Sequence, residues 1–395
     1  MSFKNKKVLV VFGTRPEAIK LAPVTKELEK MSNLSVLTCV LRQQGKLLND
    51  PIKVFDIKPN FDIDLPFGNH GLLSSNLFKK AWSALKVCLG VMRFLFILRR
   101  NHPDLVVVQG DTSTVFIVAF IAFHFKIPVA HVEAGLRSGD KYSPFPEEIN
   151  RKLTGSIAEL HFASTESAKQ NLLKEGISSN TIWVTGNTVL DALRLVMELH
   201  REEAKQKKLC LLFNEKYNIP LGDITKRVVL ITAHRRESFG EGMQNIMEAI
   251  AELARRLPDV IFVYPVHPNP NVKEVVFAKL KNIQNVRLIE PLGYELFTFL
   301  MSKSKIVLTD SGGIQEEVSF MGKPTLVMRE VTERPEGVSF GGALLVGTDK
   351  EKIVKETLHL LENKEAYEAM SKKHTAFGDG YASEQIAKVI QRYLN

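Results

Sequence analysis

Short apolar runs alternate with amphipathic stretches along most of the chain. The runs are rich in Val and Ile and lie at residues 8–12, 105–108, 129–132, 160–163, 228–232, 260–265, 286–289, 306–309 and 325–328. Between several of them lie stretches with apolar residues at helical spacing, such as residues 245–257. Continuous apolar strands that alternate with helices are typical of parallel sheets covered by helices on both faces. The pattern therefore predicts an α/β protein.

The predicted strands fall into two groups, which suits a chain of 395 residues. A long charged helix-like stretch, residues 191–208, separates the groups and is followed by a segment with Pro and Gly, residues 218–226. We therefore expect a first domain at residues 1–186 and a second at residues 187–376. Residues 377–395 form a separate C-terminal segment whose helix follows a hinge-like Gly-Asp-Gly turn.

Composition narrows the class of protein. The apolar fraction is 45% and the charged fraction 25%, as in soluble globular proteins. The cysteines, Cys39, Cys88 and Cys210, are scattered without a CxxC pair. This spacing disfavours a disulfide framework or a zinc site and favours a reducing compartment, so we expect a cytoplasmic protein.

Charge and hydropathy argue against nucleic-acid and membrane partners. The formal net charge is +9, but no basic block is interleaved with aromatic residues. A mild preference for anionic small molecules is the simpler interpretation. The two most apolar stretches, residues 87–98 and 115–123, are shorter than the ~20 apolar residues of a membrane span. We interpret both as helices buried against a sheet. The short apolar run near the N-terminus does not resemble a signal peptide.

Ligands of open parallel sheets bind beyond the carboxyl ends of the strands, so the residues after each apolar run are the candidates for chemistry. The first run is followed by the turn GTRPE, residues 13–17, and by a helix that contains Lys20. Exposed amides at such a helix start can hold an anion, and Arg15 adds a cation. The bland interpretation is an ordinary turn with a solvent-facing arginine. The chain lacks GxGxxG, so a nicotinamide cofactor is not indicated.

A similar turn follows the run at residues 306–309. The small residues Ser311, Gly312 and Gly313 open a helix and can seat a diphosphate. Glu317 lies one turn further along and is placed to accept hydrogen bonds from two ribose hydroxyls. For Glu316 we expect only a favourable interaction with the helix dipole.

Three carboxylates end or follow strands in the first group: Asp111, Glu133 and Glu147. Carboxylates that converge on one site suit proton transfer at carbon, because repulsion and burial can raise one pKa towards neutrality. Alternatively, Asp111 caps the next helix, and Glu147 complements a helix dipole or pairs with Arg151. Strand alternation places His131 on the face of Glu133, but no third ligand has suitable spacing, so we expect no metal.

The run at residues 228–232 is followed by His234 and two arginines, Arg235 and Arg236. A histidine at a strand end beside such cations can hydrogen-bond a departing diphosphate. A purely structural histidine is the competing interpretation. Further cations, Arg329 and Arg334, follow the last run.

These segments together closely resemble the non-hydrolysing UDP-N-acetylglucosamine 2-epimerases. The matching stretches run from about residue 8 to residue 348 and keep the order of the family: FGTRPEAIKLAPV, QGDTST, HVEAGLRSGDKYSPFPEEINR, VTGNTVLDAL, TAHRRESFGEG, PVHPNPNV, LTDSGGIQEE and MREVTERPEGV. Each motif is weak alone, but eight motifs in family order are specific.

The resemblance implies a fold like that of GT-B glycosyltransferases. Two Rossmann-like domains would face a cleft, and the last helix would return to the first domain. It also implies a homodimer without metal or nicotinamide. The implied reaction is anti elimination of UDP from UDP-GlcNAc to give 2-acetamidoglucal, then re-addition to give UDP-ManNAc for surface polysaccharide.

The resemblance also implies roles for particular residues. Asp111, Glu133 and Glu147 match the acid/base carboxylates, and Arg151 matches an arginine of their cluster. The remaining matches concern UDP: His234 corresponds to a histidine that contacts it, and the nucleotide-binding positions correspond to Arg15, Ser311, Glu317 and Arg334.

One loop departs from the family pattern. Where relatives usually have Gln-His-Arg-Glu, this chain has Gln43-Gln44-Gly45-Lys46. In relatives that loop lies near the sugar and near a site where the substrate itself activates the enzyme. The departure leaves open a related substrate, a UDP-diacetamido-uronic acid. The residues are also compatible with a GT-B glycosyltransferase, with a hydrolysing epimerase and with a UDP-sugar-binding regulator that has no catalytic activity.

Overall fold

The computed structural model describes residues 5–43, 45–65, 77–223 and 225–395. The chain divides into two compact units, residues 1–192 with 377–395 and residues 193–376. The division lies within one helix, between residues 192 and 193, rather than between 186 and 187. The side chain of Asp191 bonds to the C-terminal helix, whereas Leu193 belongs to an apolar cluster of the second unit, which explains why the helix is shared.

The first unit contains a seven-stranded parallel sheet in the order β3-β2-β1-β4-β5-β6-β7. Its strands are β1 (Lys6–Phe12), β2 (Leu34–Leu41), β3 (Phe61–Ile63), β4 (Leu105–Gln109), β5 (Val129–Ala134), β6 (Leu160–Ala163) and β7 (Ile182–Val184). Every residue of β4 and β5 is buried. Strands covered on both faces read as continuous apolar runs, as the sequence indicated.

The second unit contains a six-stranded parallel sheet in the order β10-β9-β8-β11-β12-β13. Its strands are β8 (Arg227–Thr232), β9 (Val260–Pro265), β10 (Val286–Ile289), β11 (Ile306–Thr309), β12 (Thr325–Val327) and β13 (Ala343–Leu345). The predicted α/β class and all nine predicted strands are confirmed. Strands β2, β3, β7 and β13 lie outside the predicted runs, and three of these four have only three residues.

Helices cover both sheets. In chain order they are α1 (Arg15–Glu29), α2 (Asn49–Val54), α3 (Leu77–Asn101), α4 (Ser113–His124), α5 (Glu147–Ile157), α6 (Glu166–Lys174), α7 (Thr188–Leu199), α8 (Glu203–Tyr217), α9 (Glu241–Arg256), α10 (Pro270–Leu280), α11 (Tyr294–Lys303), α12 (Gly312–Met321), α13 (Pro335–Ser339), α14 (Lys350–Glu362), α15 (Lys364–Met370) and α16 (Ala382–Leu394). The single helical stretch predicted at residues 191–208 is therefore two helices, α7 and α8.

Helices α3 and α4 are less buried than the sequence predicted. Helix α3 buries Phe94 and Leu98 but exposes large apolar side chains on another face, and α4 exposes Phe120 and Phe123. The interpretation of both as fully covered helices was wrong, because only one side of each packs on the sheet. None of the helices in the described part of the chain combines the length and apolar character of a membrane-spanning helix.

The C-terminal helix α16 packs in the first unit, against α1, which confirms its predicted return to that domain. Its start is held by the buried carboxylate of Asp191, which accepts hydrogen bonds from the N–H groups of Ala382 (3.2 Å) and Ser383 (2.8 Å) and from the Ser383 hydroxyl. The N-terminal N–H groups of a helix need such acceptors. These hydrogen bonds explain how the C-terminal segment, distant in sequence, completes the first unit.

Candidate active site

Glu133 lies near the end of β5, where the strand is irregular. Its φ angle is 62°, and the pairing of β5 with β6 shifts register between Val132 and Ala134. A bulge of this kind re-aims a side chain, so alternation no longer decides where Glu133 points. A non-glycine residue in this conformation is strained, and such strain concentrates at functional sites.

His131 has a separate environment from Glu133. Its Nε2 lies 2.7 Å from the carbonyl oxygen of Gly110, and burial lowers its pKa to about 4. The ring is therefore neutral near pH 7. Among the residues that the structure describes, no three His, Cys, Asp or Glu side chains are grouped to hold a metal ion.

The carboxylate of Glu133 is buried and is held by side chains from other segments of the unit. Lys20 Nζ from α1 donates to both oxygens, at 2.8 Å and 2.6 Å. Asn187 Nδ2 donates to Oε1 at 2.9 Å, and Gln109 Nε2 donates to Oε2. A nearby ammonium group offsets the desolvation of a buried carboxylate. Lys20, predicted to bind an anion, thus has the Glu133 carboxylate as its counter-ion.

Asp111 follows β4, the strand beside β5. The following helix is capped by Thr112, whose hydroxyl accepts from the Val115 N–H, so the interpretation of Asp111 as the cap was wrong. Instead, the Asp111 carboxylate accepts from Arg151 Nε (2.9 Å) and Nη2 (2.8 Å). Its side chain remains 28% exposed, so one face of this ion pair is open to a ligand.

Arg151 lies on α5 and also binds Glu148, at 3.1 Å from Nη1 to Oε2. Glu148 is fully buried and accepts from the N–H groups of Ser138 and Gly139. It therefore holds both Arg151 and the loop after β5.

Glu147 begins α5 and is half-buried. The interpretation of Glu147 as an ion-pair partner of Arg151 was wrong, because that guanidinium contacts Asp111 and Glu148 instead. The Oε2 atom of Glu147 is buried, and within the described chain it has no hydrogen-bond partner. An unpaired buried oxygen is costly in a structural role, which favours a role in which a ligand meets it.

The turn at residues 13–17 differs from the prediction. The Glu17 carboxylate accepts from the N–H groups of Gly13 (2.6 Å) and Thr14 (3.2 Å), as in a capping box. These two amides are therefore occupied by the chain's own carboxylate, and the expectation that they hold a ligand anion was wrong for them. Arg15 Nη2 lies 3.4 Å from Asp50 Oδ2, and the Arg15 side chain is 28% exposed.

In the second unit, His234 follows β8 and faces Asp310, which follows β11. The Asp310 carboxylate is fully buried and accepts from the N–H groups of His234 (2.6 Å) and Arg235 (2.7 Å). Its Oδ1 lies 3.4 Å from His234 Nδ1. The ring of His267 stacks on that of His234, with centroids 5.2 Å apart. The His234 ring is therefore held on two sides.

Ser311, Gly312 and Gly313 form the start of α12, as predicted, and Ser311 is its N-cap residue. A Cβ at Gly312 would lie 3.0 Å from Arg334 Nη1, so the glycine lets this guanidinium approach closely. Arg334 Nε donates to Glu316 at 2.8 Å. The interpretation of Glu316 as a helix-dipole residue alone was therefore wrong.

Glu317 and Arg329 are the acidic and the cationic residue that the sequence also singled out in this unit. The Glu317 carboxylate accepts from the Tyr294 hydroxyl at 2.7 Å and is 5% exposed. Arg329 forms an ion pair with Glu237. Both side chains are therefore fixed by neighbours from other elements of the same unit.

Sequence reasoning missed four residues that hold the candidate side chains: Gln109, Glu148, Asn187 and Asp310. All four lie inside stretches that matched the family, such as QGDTST and LTDSGGIQEE. The motifs thus marked the right segments. Only the contacts in the structure distinguished the candidate functional side chains from the residues that hold them in place.

Known proteins resemble this chain over nearly its full length. The family model for UDP-N-acetylglucosamine 2-epimerase matches residues 26–391. The chain is 45% identical over 387 residues to the UDP-N-acetylglucosamine 2-epimerase of Yersinia pestis, covering 98% of this chain and 99% of the relative. It is 44% identical over 385 residues to the UDP-N-acetylglucosamine 2-epimerase of Escherichia coli K12, covering 98% of both. A crystal structure of UDP-GlcNAc 2-epimerase from Neisseria meningitidis bound to UDP-GlcNAc has a TM-score of 0.87 at 42% identity, covering 98% of this chain and 100% of that one.

Proposed function

The chain belongs to the UDP-N-acetylglucosamine 2-epimerase family, and we propose that it interconverts UDP-N-acetylglucosamine and UDP-N-acetylmannosamine by inverting C2. The observation that carries this proposal is the carboxylate cluster of the first unit. Asp111 and Glu133 lie at the ends of neighbouring strands, and Glu147 lies one helical turn from the Arg151 that binds Asp111. The sequences of curated relatives match this chain over nearly its full length.

The reaction needs a base and an acid at carbon. A carboxylate removes the C2 proton while the C1–O bond breaks and UDP departs with the bonding electrons, leaving a C1–C2 double bond. UDP oxygen then re-attacks C1, and a proton is delivered to the other face of C2. Positioned proton transfer of this kind supplies ~10²–10⁴-fold acceleration.

The carboxylates differ in their readiness for proton transfer. Glu133 has Lys20 and two amides as partners, so it is prepared to act as a charged base. The Oε2 atom of Glu147 is buried and has no hydrogen-bond partner in the described residues, so we assign to Glu147 the second proton transfer, in which the substrate meets that oxygen. Asp111 stays bound to Arg151 and is suited to orient the sugar and to assist either transfer.

The second unit supplies groups for the departing diphosphate. We assign this role to His234 and to the helix start at Ser311, Gly312 and Gly313, whose N–H groups and dipole favour an anion. Glu317 and Arg334 are assigned to the nucleoside and its phosphates.

The test is proton and phosphorus NMR of UDP-GlcNAc incubated with the protein in deuterated water. UDP-ManNAc with deuterium at C2, together with labelled substrate, is the expected result. Free ManNAc and UDP would replace the proposal by the hydrolysing reaction. Unchanged UDP-GlcNAc in the presence of UDP binding would contradict the proposed substrate.

The loop that departs from the family pattern decides which sugar to try next. Gln43 Oε1 accepts from the Thr114 hydroxyl at 2.6 Å, next to the segment that carries Asp111. Gln44 and the side chain of Lys46 lie outside the described residues. A UDP-diacetamido-uronic acid is therefore the second substrate for the same NMR experiment. We also assign to the UDP-sugar an activating role near this loop, for which sigmoidal dependence of rate on UDP-GlcNAc concentration is the test.

We propose that the protein is a homodimer that uses α3. Five exposed side chains follow a 3-4-3-4 spacing along this helix: Trp82, Leu85, Leu89, Met92 and Phe96. A stripe with coiled-coil spacing suits packing against another helix, and a large exposed apolar patch marks an interface. We expect Met92→Glu with Phe96→Glu to halve the mass measured by light scattering. Ala84→Glu, at an exposed position on another face of the same helix, should leave the mass unchanged.

We also propose a cytoplasmic location. Cys39, Cys88 and Cys210 are free in the structure, as expected in a reducing compartment. Fractionation of cells that produce the protein, with immunodetection, tests this point. Recovery in an extracellular fraction would contradict it.

A further inference from the structure

The loop after β8 is fastened to one buried carboxylate of the second unit. Asp310 is fully buried, and its Oδ2 accepts two backbone hydrogen bonds, from His234 and Arg235. Bonds from backbone N–H groups fix the path of a chain rather than the rotamer of a side chain. Asp310 therefore sets where His234 leaves the sheet.

The second carboxylate oxygen of Asp310 faces the side chain of the same histidine. Oδ1 lies 3.4 Å from His234 Nδ1, and it has no hydrogen bond of its own among the described residues. The Nε2 atom of His234 is on the opposite edge of the ring, and the side chain is 36% exposed. One ring nitrogen thus faces a buried anion while the other is open to a ligand.

Besides Asp310, the titratable groups nearest to His234 are His267 and Tyr264. His267 stacks on it at an interplanar angle of 11°, and burial lowers the pKa of His267, with a smaller contribution from repulsion by His234. Burial, followed by the charge of Asp310, raises the pKa of Tyr264, whose hydroxyl donates to the Ala233 carbonyl. Both neighbours are therefore neutral near pH 7. Arg235, on the same loop, adds a positive charge.

We infer that Asp310 is a positioning residue for His234. Its carboxylate accepts a hydrogen bond from Nδ1–H, so that Nε2 faces the diphosphate of the nucleotide. An imidazole has one N–H when neutral, and it donates to a carboxylate and a phosphate at once only as imidazolium. Nucleotide binding therefore brings a proton from solvent onto His234. This inference rests on the proposed role of the second unit in binding UDP.

The first test is the tautomer of His234, measured by ¹⁵N NMR of the ligand-free protein with labelled histidine and assigned with His234→Asn. In the wild-type protein we expect the neutral ring to carry its proton on Nδ1. In Asp310→Asn the amide oxygen accepts the backbone bonds and the NH₂ group faces Nδ1, so the proton moves to Nε2. A neutral wild-type ring protonated on Nε2 overturns the inference, and this readout remains usable if the variant does not fold.

The second test is proton uptake on UDP binding, from calorimetry in two buffers with different ionisation enthalpies. UDP itself exchanges protons, so the uptake by His234→Asn serves as the baseline. We expect the wild-type protein to exceed that baseline by up to a single proton per site and Asp310→Asn to match it. Equal uptake by all three proteins overturns the inference.

A matched control separates positioning from damage to the loop. Tyr264→Phe removes the hydrogen bond to Ala233, the residue before His234, but leaves the Asp310 carboxylate in place. We expect this variant to keep the wild-type tautomer and proton uptake. If UDP does not bind the wild-type protein at all, the proposed function fails, while the tautomer measurement still decides whether Asp310 orients His234.

Discussion

Glu133 and Asp310 occupy equivalent places, each near the carboxyl end of a parallel strand in its own unit, but their oxygens have different partners. The Glu133 carboxylate is held by the side chains of Lys20, Gln109 and Asn187. The Asp310 carboxylate is held by backbone N–H groups. Side-chain partners can move with a proton, whereas backbone partners cannot. At the same position in an α/β sheet we therefore assign proton transfer to the carboxylate of the first unit and a positioning role to that of the second.

The largest effect that this comparison predicts is on Glu133. Glu133→Gln keeps the shape of the side chain but removes the base, so deuterium exchange at C2 should fall by ~10²–10⁴-fold. UDP binding, assigned to other residues, should persist in calorimetry. Glu175→Gln is the control. Like Glu133, Glu175 is a carboxylate of the first unit that pairs with a cation, in this case Arg137. Retained exchange in the Glu133 variant would remove Glu133 from the mechanism.

Glu147 should show loss of activity without loss of stability. Its buried oxygen has no partner in the described structure, so Glu147→Gln breaks no bond, and the free energy of unfolding should change by less than about 0.5 kcal/mol. Exchange at C2 should still fall by at least ~10²-fold. Urea denaturation and the deuterium assay on one preparation measure both. A variant that is active, or one that is strongly destabilised, would assign Glu147 to the scaffold.

Arg151, unlike Glu147, should show a loss of stability when it is replaced. It bridges Asp111 and the buried Glu148, so Arg151→Met leaves charged hydrogen-bonding groups without their partner. We expect a loss of about 1.5–3 kcal/mol in the free energy of unfolding, measured with urea. Lys207→Met, which removes an exposed ion pair with Glu203, should have an effect within experimental error. Equal small losses in both variants would show that the Arg151 bridge is not structural.

The smallest effect concerns Glu17, which like Asp310 accepts backbone hydrogen bonds. Burial raises the pKa of Glu17, although bonds from Gly13 and Thr14 oppose the rise. The folded state then binds this proton more tightly than the unfolded state, so its contribution to stability is lost as pH rises from about 4.3 through the raised pKa. Relative to Glu17→Gln, the wild-type protein should therefore become less stable over that interval in urea unfolding. A relative gain with rising pH would contradict the assignment.

The comparison also shows which sequence predictions were reliable. The strand-end rule located Asp111, Glu133 and His234 because continuous apolar runs mark buried parallel strands. It did not locate β3, β7 and β13, since three residues are too few to show a pattern. It also missed β2, whose apolar run is interrupted by Ser35 and Thr38. It misjudged Glu316, because an acidic residue near a helix start has the same local signal whether it meets solvent or Arg334, and in the structure Glu316 lies beyond the first turn of α12.

The pattern of apolar and polar residues by itself determined the α/β class, the order of the main strands and helices, and the strand ends that carry the candidate residues, because hydrophobic periodicity is a local property of the chain. Only the tertiary structure decided which partner each carboxylate has, where β5 is bulged, and that Asp191 ties the last helix to the first unit. Lys20 and Glu133 are 113 residues apart, and His234 and Asp310 are 76 apart. Contacts at such separations depend on how elements pack, and no local pattern encodes them.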